Sequence, residues 1–147
     1  MDSSLIYLTQ TDTTVGFLSN NDKKLSGAKQ RDSKQKTLQV VSNFKTLNKL
    51  VRAPQKYKKV IRRARKSTII YPNKMAFRVV PQDSSHHIFL KKFDLMFSTS
   101  ANKTKNNFDE EYAVKNSNIV VYNKENFMEK KASSIYKINK RKIKKIR

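Results

Sequence analysis

Leu95-Met96-Phe97-Ser98-Thr99-Ser100-Ala101-Asn102 enters as a core segment and leaves as a polar one. Three large apolar residues are followed by five small ones, four of which carry a hydroxyl or an amide. Leu95–Thr99 predicts a strand, and its end has two readings. One is an ordinary polar turn of the kind that Ser and Asn favour. The other is a strand end that presents hydrogen-bond donors to a ligand, because in open α/β sheets ligands gather outside the ends of strands.

The flanking sequence supplies the rest of such a sheet. Leu5–Leu8 reads as a short buried strand, and Thr37–Val41 as a second. Ser42 or Asn43 can cap a helix that carries Phe44, Leu47, Leu50 and Val51 on one face and is closed by Pro54. A further helix starts at Pro54, with Tyr57, Val60, Ile61 and Ala64 at helical spacing and a basic opposite face from Lys56 to Lys66. Thr68–Tyr71 and Ala76–Val80 read as strands, Ser84 as the cap of a short helix through Ile88 and Leu90, and Ile119–Tyr122 and Ser134–Ile138 as closing strands. Strands alternating with helices predict an α/β class with a mixed twisted sheet in a single domain. The domain is expected over residues 1–138, followed by a basic tail over 139–147, read as a flexible arm or a helix lying on RNA.

Charge is the dominant compositional feature of the 147 residues. Thirty-three Lys and Arg stand against 11 Asp and Glu, giving +22. No acid occurs between Ser33 and Gln82, a span with 14 basic residues, and none occurs from Lys130 to Arg147. So one-sided a field attracts polyanions such as RNA, DNA or nucleotides; a merely solvated basic face is the plainer alternative. Cysteine is absent, which removes disulfides and thiol chemistry. No stretch approaches the roughly 20 apolar residues of a membrane span, so the cytoplasm is the expected compartment. His86-His87 has no acid cluster at ligand spacing and is read as solvent-exposed, so no protein-bound metal is expected.

Polar residues also collect at other strand ends. Thr11, Thr13 and Thr14 follow the first strand, and Lys29 and Arg31 precede the second. If that segment is extended, alternation points both cations the same way, as a clamp for a polyphosphate. Ser100 and Asn102 add donors from the polar elbow after Leu95–Thr99. Arg78, within a strand, is either an ion-pair partner on the sheet or a pocket cation, with the structural role favoured.

In order along the chain stand T-D-T followed by Gly at Thr11–Gly16, K-x-R at Lys29–Arg31, F-R-V-V-P at Phe77–Pro81 and S-T-S-A-N at Ser98–Asn102. That succession resembles the Sua5/YciO/YrdC family, whose usual stretches are P-T-E-T-x-Y-G-L, K-x-R-P, R-x-P and T-S-A-N. Ser133-Ser134-Ile135-Tyr136 resembles the S-T-I/V strand of the same family. The resemblance implies a YrdC-like twisted open sheet flanked by helices, with a basic concave face. It implies a threonylcarbamoyl-AMP synthase, joining L-threonine, bicarbonate and ATP with release of diphosphate, on the route to threonylcarbamoyladenosine at position 37 of tRNA. Under that resemblance Lys29 and Arg31 hold the triphosphate and stabilise the departing pyrophosphate, and Ser100 and Asn102 complete the phosphate site. Thr11, Thr13 and Ser134 line the threonine and carbamoyl pocket, and Mg2+ arrives on the nucleotide. Implied partners are tRNA or double-stranded RNA on the basic surface and proteins that transfer the threonylcarbamoyl group downstream.

The sequence departs from that pattern at Gln10, Val15 and Asp32, where the family carries Pro, Tyr and Pro, and it lacks P-G-P before Thr68. Asp32 sets an acid beside the expected clamp. Two alternatives to the enzyme follow: a non-catalytic RNA- or nucleotide-binding module derived from the family, and a basic ribosome-associated protein of unrelated fold. The second accounts for the charge but not for the ordered motifs at strand ends.

Overall fold

A computed structural model describes residues 1–147. Along the chain run β1 (Tyr7–Gln10), β2 (Val15–Ser19), α1 (Asp22–Lys29), β3 (Leu38–Val41), α2 (Phe44–Leu50), a 3-10 turn (Gln55–Tyr57) and α3 (Lys58–Arg63). Then come β4 (Ser67–Ile70), β5 (Ala76–Val79), α4 (Ser85–Leu90), β6 (Leu95–Ser100), α5 (Glu110–Lys115), β7 (Ile119–Val121), β8 (Ser134–Ile138) and β9 (Ile143–Lys145). All nine strands join one mixed sheet in the order β7-β1-β2-β6-β3-β5-β4-β8-β9. The expected α/β class with a mixed sheet and flanking helices is what forms. No helix is long and apolar enough to cross a membrane.

Strand alternation divides the side chains between two faces. One face carries two cores. Val41, Ile69, Phe77 and Ile138 pack with Leu47 of α2 and Ile61 of α3, and Leu8, Val15 and Phe17 pack with Leu25 and Ala28 of α1. The other face carries a third core, in which Tyr7, Leu18, Val40 and Met96 meet Phe89 and Leu90 of α4. Phe93 packs against this core, and Tyr7 lies 5.4 Å from both Phe89 and Phe93 with the rings tilted. α4 covers only part of this second face, and the uncovered part is where the polar residues lie.

Local chemistry sets several boundaries as the sequence indicates. Asn43 caps α2 by accepting from Thr46 N–H at 2.8 Å, and Ser84 caps α4 by accepting from His87 N–H at 3.1 Å. Four elements lack a periodic signature in the sequence. In β2 every residue is buried, so no alternation is visible, and Gly16 breaks its β-propensity. α1 buries only Leu25, Ser26 and Ala28 over two turns, too narrow a stripe to register. α5 buries only Ala113.

The fourth is β9, which corrects the reading of 139–147 as a flexible arm or an RNA-borne helix. Asn139 accepts from the backbone N–H groups of Arg141 and Lys142 and turns the chain. β9 then returns antiparallel to β8, with Lys137 opposite Lys144 and Ile138 opposite Ile143.

Candidate active site

β6 ends at the elbow quoted at the outset. Ser100 Oγ donates to Asn102 Oδ1 at 2.6 Å. Lys29, 71 residues earlier, reaches the same point: Nζ donates to Ser100 Oγ at 2.6 Å and to Asn102 Oδ1 at 2.8 Å. It also meets the Ser100 carbonyl at 3.2 Å and the Asn102 carbonyl at 3.5 Å. All these acceptors are neutral, so no carboxylate cancels the charge. Burial, and then the nearby positive charge of Arg31, push the Lys29 ammonium down from 10.5 to about 8.

The sequence expectation of an extended K-x-R segment is corrected here. Lys29 is the last residue of α1, and Gln30 follows in the left-handed conformation with φ 51° and ψ 50°. Gln30 N–H then bonds Gly27 O at 3.0 Å and Arg31 N–H bonds Ser26 O at 2.9 Å, the two bonds of a helix-ending turn. This reversal, rather than strand alternation, brings both cations to one place. Arg31 donates through Nη2 to Thr37 Oγ1, which in turn donates to Asp22. Its Nε–H is buried without a partner. Asp32, the acid expected beside the clamp, instead closes a surface turn by accepting from Lys34 N–H at 2.9 Å. Asp22 is the carboxylate that steadies Arg31, and no motif in the sequence marks it.

Next to this cluster lies an open cleft of about 440 Å3. Thr11, Thr13, Thr14 and Gly16 form one side and Ser98–Ser100 the adjoining strand end; Thr68, Ile70, Ala76 and Arg78 form the floor, with Ser133, Ile135 and Arg147 opposite. Arg31 and Lys36 also line it, and no Asp or Glu does. A cavity of this size suits a small ligand. Gly16 is required by close approach: a Cβ there would stand 2.8 Å from Thr11 Cγ2 and 3.1 Å from Thr99 O.

The structure brings Lys29, Ser100 and Asn102 into one hydrogen-bonded cluster, and Arg31, Ser100, Thr11 and Thr13 line the cleft, which Lys29 and Asn102 do not. Ser134 does not join them. Its neighbours Ser133 and Ile135 line the cleft instead, since residues next to each other in a strand take opposite faces. Ser133 Oγ lies 3.1 Å from Thr68 Oγ1. Arg147 also lines the cleft, and no sequence motif marks it at the end of a lysine-rich run. It donates to Ser133 O from Nε at 3.1 Å and from Nη2 at 2.9 Å.

His86 is also corrected. It is 1% exposed rather than solvated, and its Nδ1 lies 3.0 Å from Asp12 Oδ1 and 3.4 Å from the Asp12 backbone N–H. Arg78, 4% exposed, takes both roles weighed for it, as ion-pair partner of Asp12 at 3.5 Å and as part of the cleft floor. Burial opposes ionisation of Asp12, but the His86 hydrogen bond and the Arg78 charge outweigh it and hold the carboxyl below its ordinary value. Burial pushes the His86 imidazole below its ordinary value, against the opposing pull of Asp12.

No protein-family model matches the sequence, and no curated protein matches it. Solved structures do. The H234A/Y235A variant of Sua5 from P. abyssi superposes with a TM-score of 0.79 at 12% identity, covering 98% of this chain and 49% of that one. P. abyssi Sua5 complexed with L-threonine gives 0.78 at 12% identity, covering 98% and 50%. The solution structure of the MTH1692 protein of Methanobacterium thermoautotrophicum gives 0.60 at 16% identity, covering 91% and 75%. The chain therefore spans about half the length of the Sua5 chains it matches. What is shared at these identities is the arrangement of the sheet and its helices: this chain has the Sua5/YrdC-like fold.

Proposed function

We propose that the cleft makes threonylcarbamoyl-AMP from ATP, L-threonine and bicarbonate, with release of pyrophosphate. The observation that carries the reading is Lys29 Nζ bound between Ser100 and Asn102, uncancelled by any acid, next to a cleft of nucleotide-fragment size that Ser100 and Arg31 line. The donor set fits a polyphosphate. Lys29 is a movable point charge, Arg31 offers a buried Nε–H that has no protein partner, and Arg147 adds a second guanidinium across the opening. Mg2+ would travel with the nucleotide.

The chemistry asks for little covalent help. The amine of threonine adds to CO2, losing a proton, and the resulting carbamate oxygen attacks the α-phosphorus while pyrophosphate departs. Positioning and neutralisation of the leaving charge do most of the work. Lys29 and Arg31 would carry that charge; Thr11 and Thr13 would orient the amino acid. Purified chain should release pyrophosphate only when ATP, bicarbonate and threonine are all present. Release that ignores threonine, or that survives in Lys29→Ala with Asn102→Ala, would refute the reading.

A second activity is favoured by the folded charge distribution. The two acid-free stretches, distant in sequence, become neighbours: β3, β5, β4, β8 and β9 are adjacent in the sheet and contain no acid. At their helical side Lys56 Nζ donates to Arg141 O at 3.2 Å, tying the α3 ridge to the β8–β9 turn. Of the basic residues from Arg52 to Lys66 only Arg65 has an acidic partner, Asp83 at 3.0 Å. Lys137 and Lys144 face each other directly across the hairpin, a like-charge pair that destabilises it. We infer an RNA phosphate backbone as the partner of this corner, independent of the cleft. Affinity for a short RNA duplex should fall steeply with salt, and Lys56→Glu with Arg62→Glu should weaken it while pyrophosphate release is kept. Salt-insensitive binding would exclude the inference.

A further inference from the structure

The last four backbone carbonyls of a helix have no partner within it, yet at the end of α1 all four are met. Gln30 N–H reaches Gly27 O and Arg31 N–H reaches Ser26 O, inside the helix-ending turn itself. The other two are met from far along the chain. Thr104, 75 residues on, donates to Lys29 O twice, from its backbone N–H at 3.1 Å and from Oγ1 at 3.0 Å. Tyr112, in α5, donates from its hydroxyl to Ala28 O at 2.5 Å. The direction of these bonds is fixed, because a carbonyl can only accept.

The segment that supplies Thr104 continues from the elbow that holds the other end of Lys29. Lys29 Nζ lies on Ser100 and Asn102. Beyond Asn102 the chain turns: Lys105 takes a left-handed φ of 68°, Asn106 N–H bonds Lys103 O at 2.9 Å, and Asn102 Nδ2 donates to Asn106 O. The lysine is therefore held at both ends by one short segment, its carbonyl by Thr104 and its ammonium by Ser100 and Asn102. A free lysine side chain spreads over many rotamers, and tying its backbone to the elbow that receives its head removes much of that freedom before a ligand arrives. Thr104 and Tyr112 do not line the cleft.

We propose that Thr104 and Tyr112 are positioning residues for Lys29: they fasten the end of α1 to the elbow after β6, so that the ammonium stays beside the cleft among neutral acceptors. This rests on the reading of Lys29 as the residue that carries phosphate charge, and it assigns the groups that hold it ready.

The test is isotope-edited NMR of the lysine ε-carbons in ligand-free protein, with Lys29 assigned by comparison with Lys29→Ala. Burial in this slot lowers its ammonium to about 8, and Arg31 is the one charge that adds to the effect. Lys103 and Lys105, on the adjoining turn, are exposed. Thr104→Val combined with Tyr112→Phe removes two of the three tethering bonds at nearly constant volume. Lys29 should then relax toward water, and its titration midpoint should rise by about half a pH unit or more. Thr104→Ser keeps the hydroxyl and should keep the wild-type midpoint. A double variant that is easier to denature but leaves Lys29 titrating as in wild type would overturn the proposal, because that is all a structural role alone would change. A shift in Thr104→Ser as large as in the double variant would overturn it too. The shift in the double variant, in a chain whose wild type releases no pyrophosphate, refutes adenylation alone; an active wild type whose double variant leaves Lys29 unmoved refutes the positioning role alone.

Discussion

The proposed chemistry gives Lys29 the phosphate charge to hold, and its titration can be followed. With the free ammonium lowered to about 8, alkaline solution discharges it before the substrate arrives. ATP affinity should therefore fall as pH rises from about 7.5 to 9.5, and Lys29→Ala should be weaker by roughly tenfold or more and nearly flat over that range. The consequence for stability has the opposite sign. Between the folded value of about 8 and the ordinary 10.5, the unfolded chain holds a proton that the folded one has lost, so ligand-free stability rises with pH in that window. Denaturant titrations of wild type minus Lys29→Met isolate that slope. Gly16 gives a purely steric test. Thr11 is pinned by its three hydrogen bonds and cannot swing aside, so Gly16→Ala should cost about 1–3 kcal/mol in unfolding free energy and misplace Thr11. At this scale the sequence was informative where side-chain type alone decides: Lys29, Ser100 and Asn102, 71 and 73 residues apart, meet in one hydrogen-bonded cluster. It was silent on Asp22, Ser133 and Arg147, because what makes them partners is the fold around them.

Among the elements, the end of α1 does more than its length suggests. Gln30 holds a left-handed conformation that an L-residue adopts at a cost, and Lys29 and Arg31 are aimed by it. Gln30→Gly should stabilise the chain by about 1 kcal/mol and Gln30→Val should destabilise it by a similar amount; chemical denaturation reads both. Capped and amphipathic segments, α2 and α4 among them, were legible because a single helix face and a single cap residue define them. β2 and α1 were not, because burial on all sides erases alternation and a stripe with only two apolar residues, Leu25 and Ala28, falls below any periodic signal. β9 was hidden by charge: Ile143-Lys144-Lys145 looks like a solvated tail until β8 offers an edge to pair with.

Taken as a whole, the molecule is electrically lopsided. Acids remain on the side of β1, β2, α1 and α5, or in the turns at Asp83 and Asp94, while the β4–β8–β9 edge has none. For a duplex gripped through about four phosphates, log K against log salt should fall with a slope near −3.6 in a filter-binding titration. A slope near zero would leave the lysine-rich edge as a device against strand-to-strand association.

That same edge exposes the cleft to a simple physical probe. Arg147 belongs to the cleft wall, held there by the three residues of β9, a few backbone bonds and its guanidinium's bonds to Ser133 O. Trypsin cutting after Lys142 or Lys145 would detach one side of the cleft without touching the central strands. Proteolysis rate at this hairpin, measured with and without pyrophosphate, then becomes a direct gauge of whether an occupied cleft clasps its own C-terminal wall.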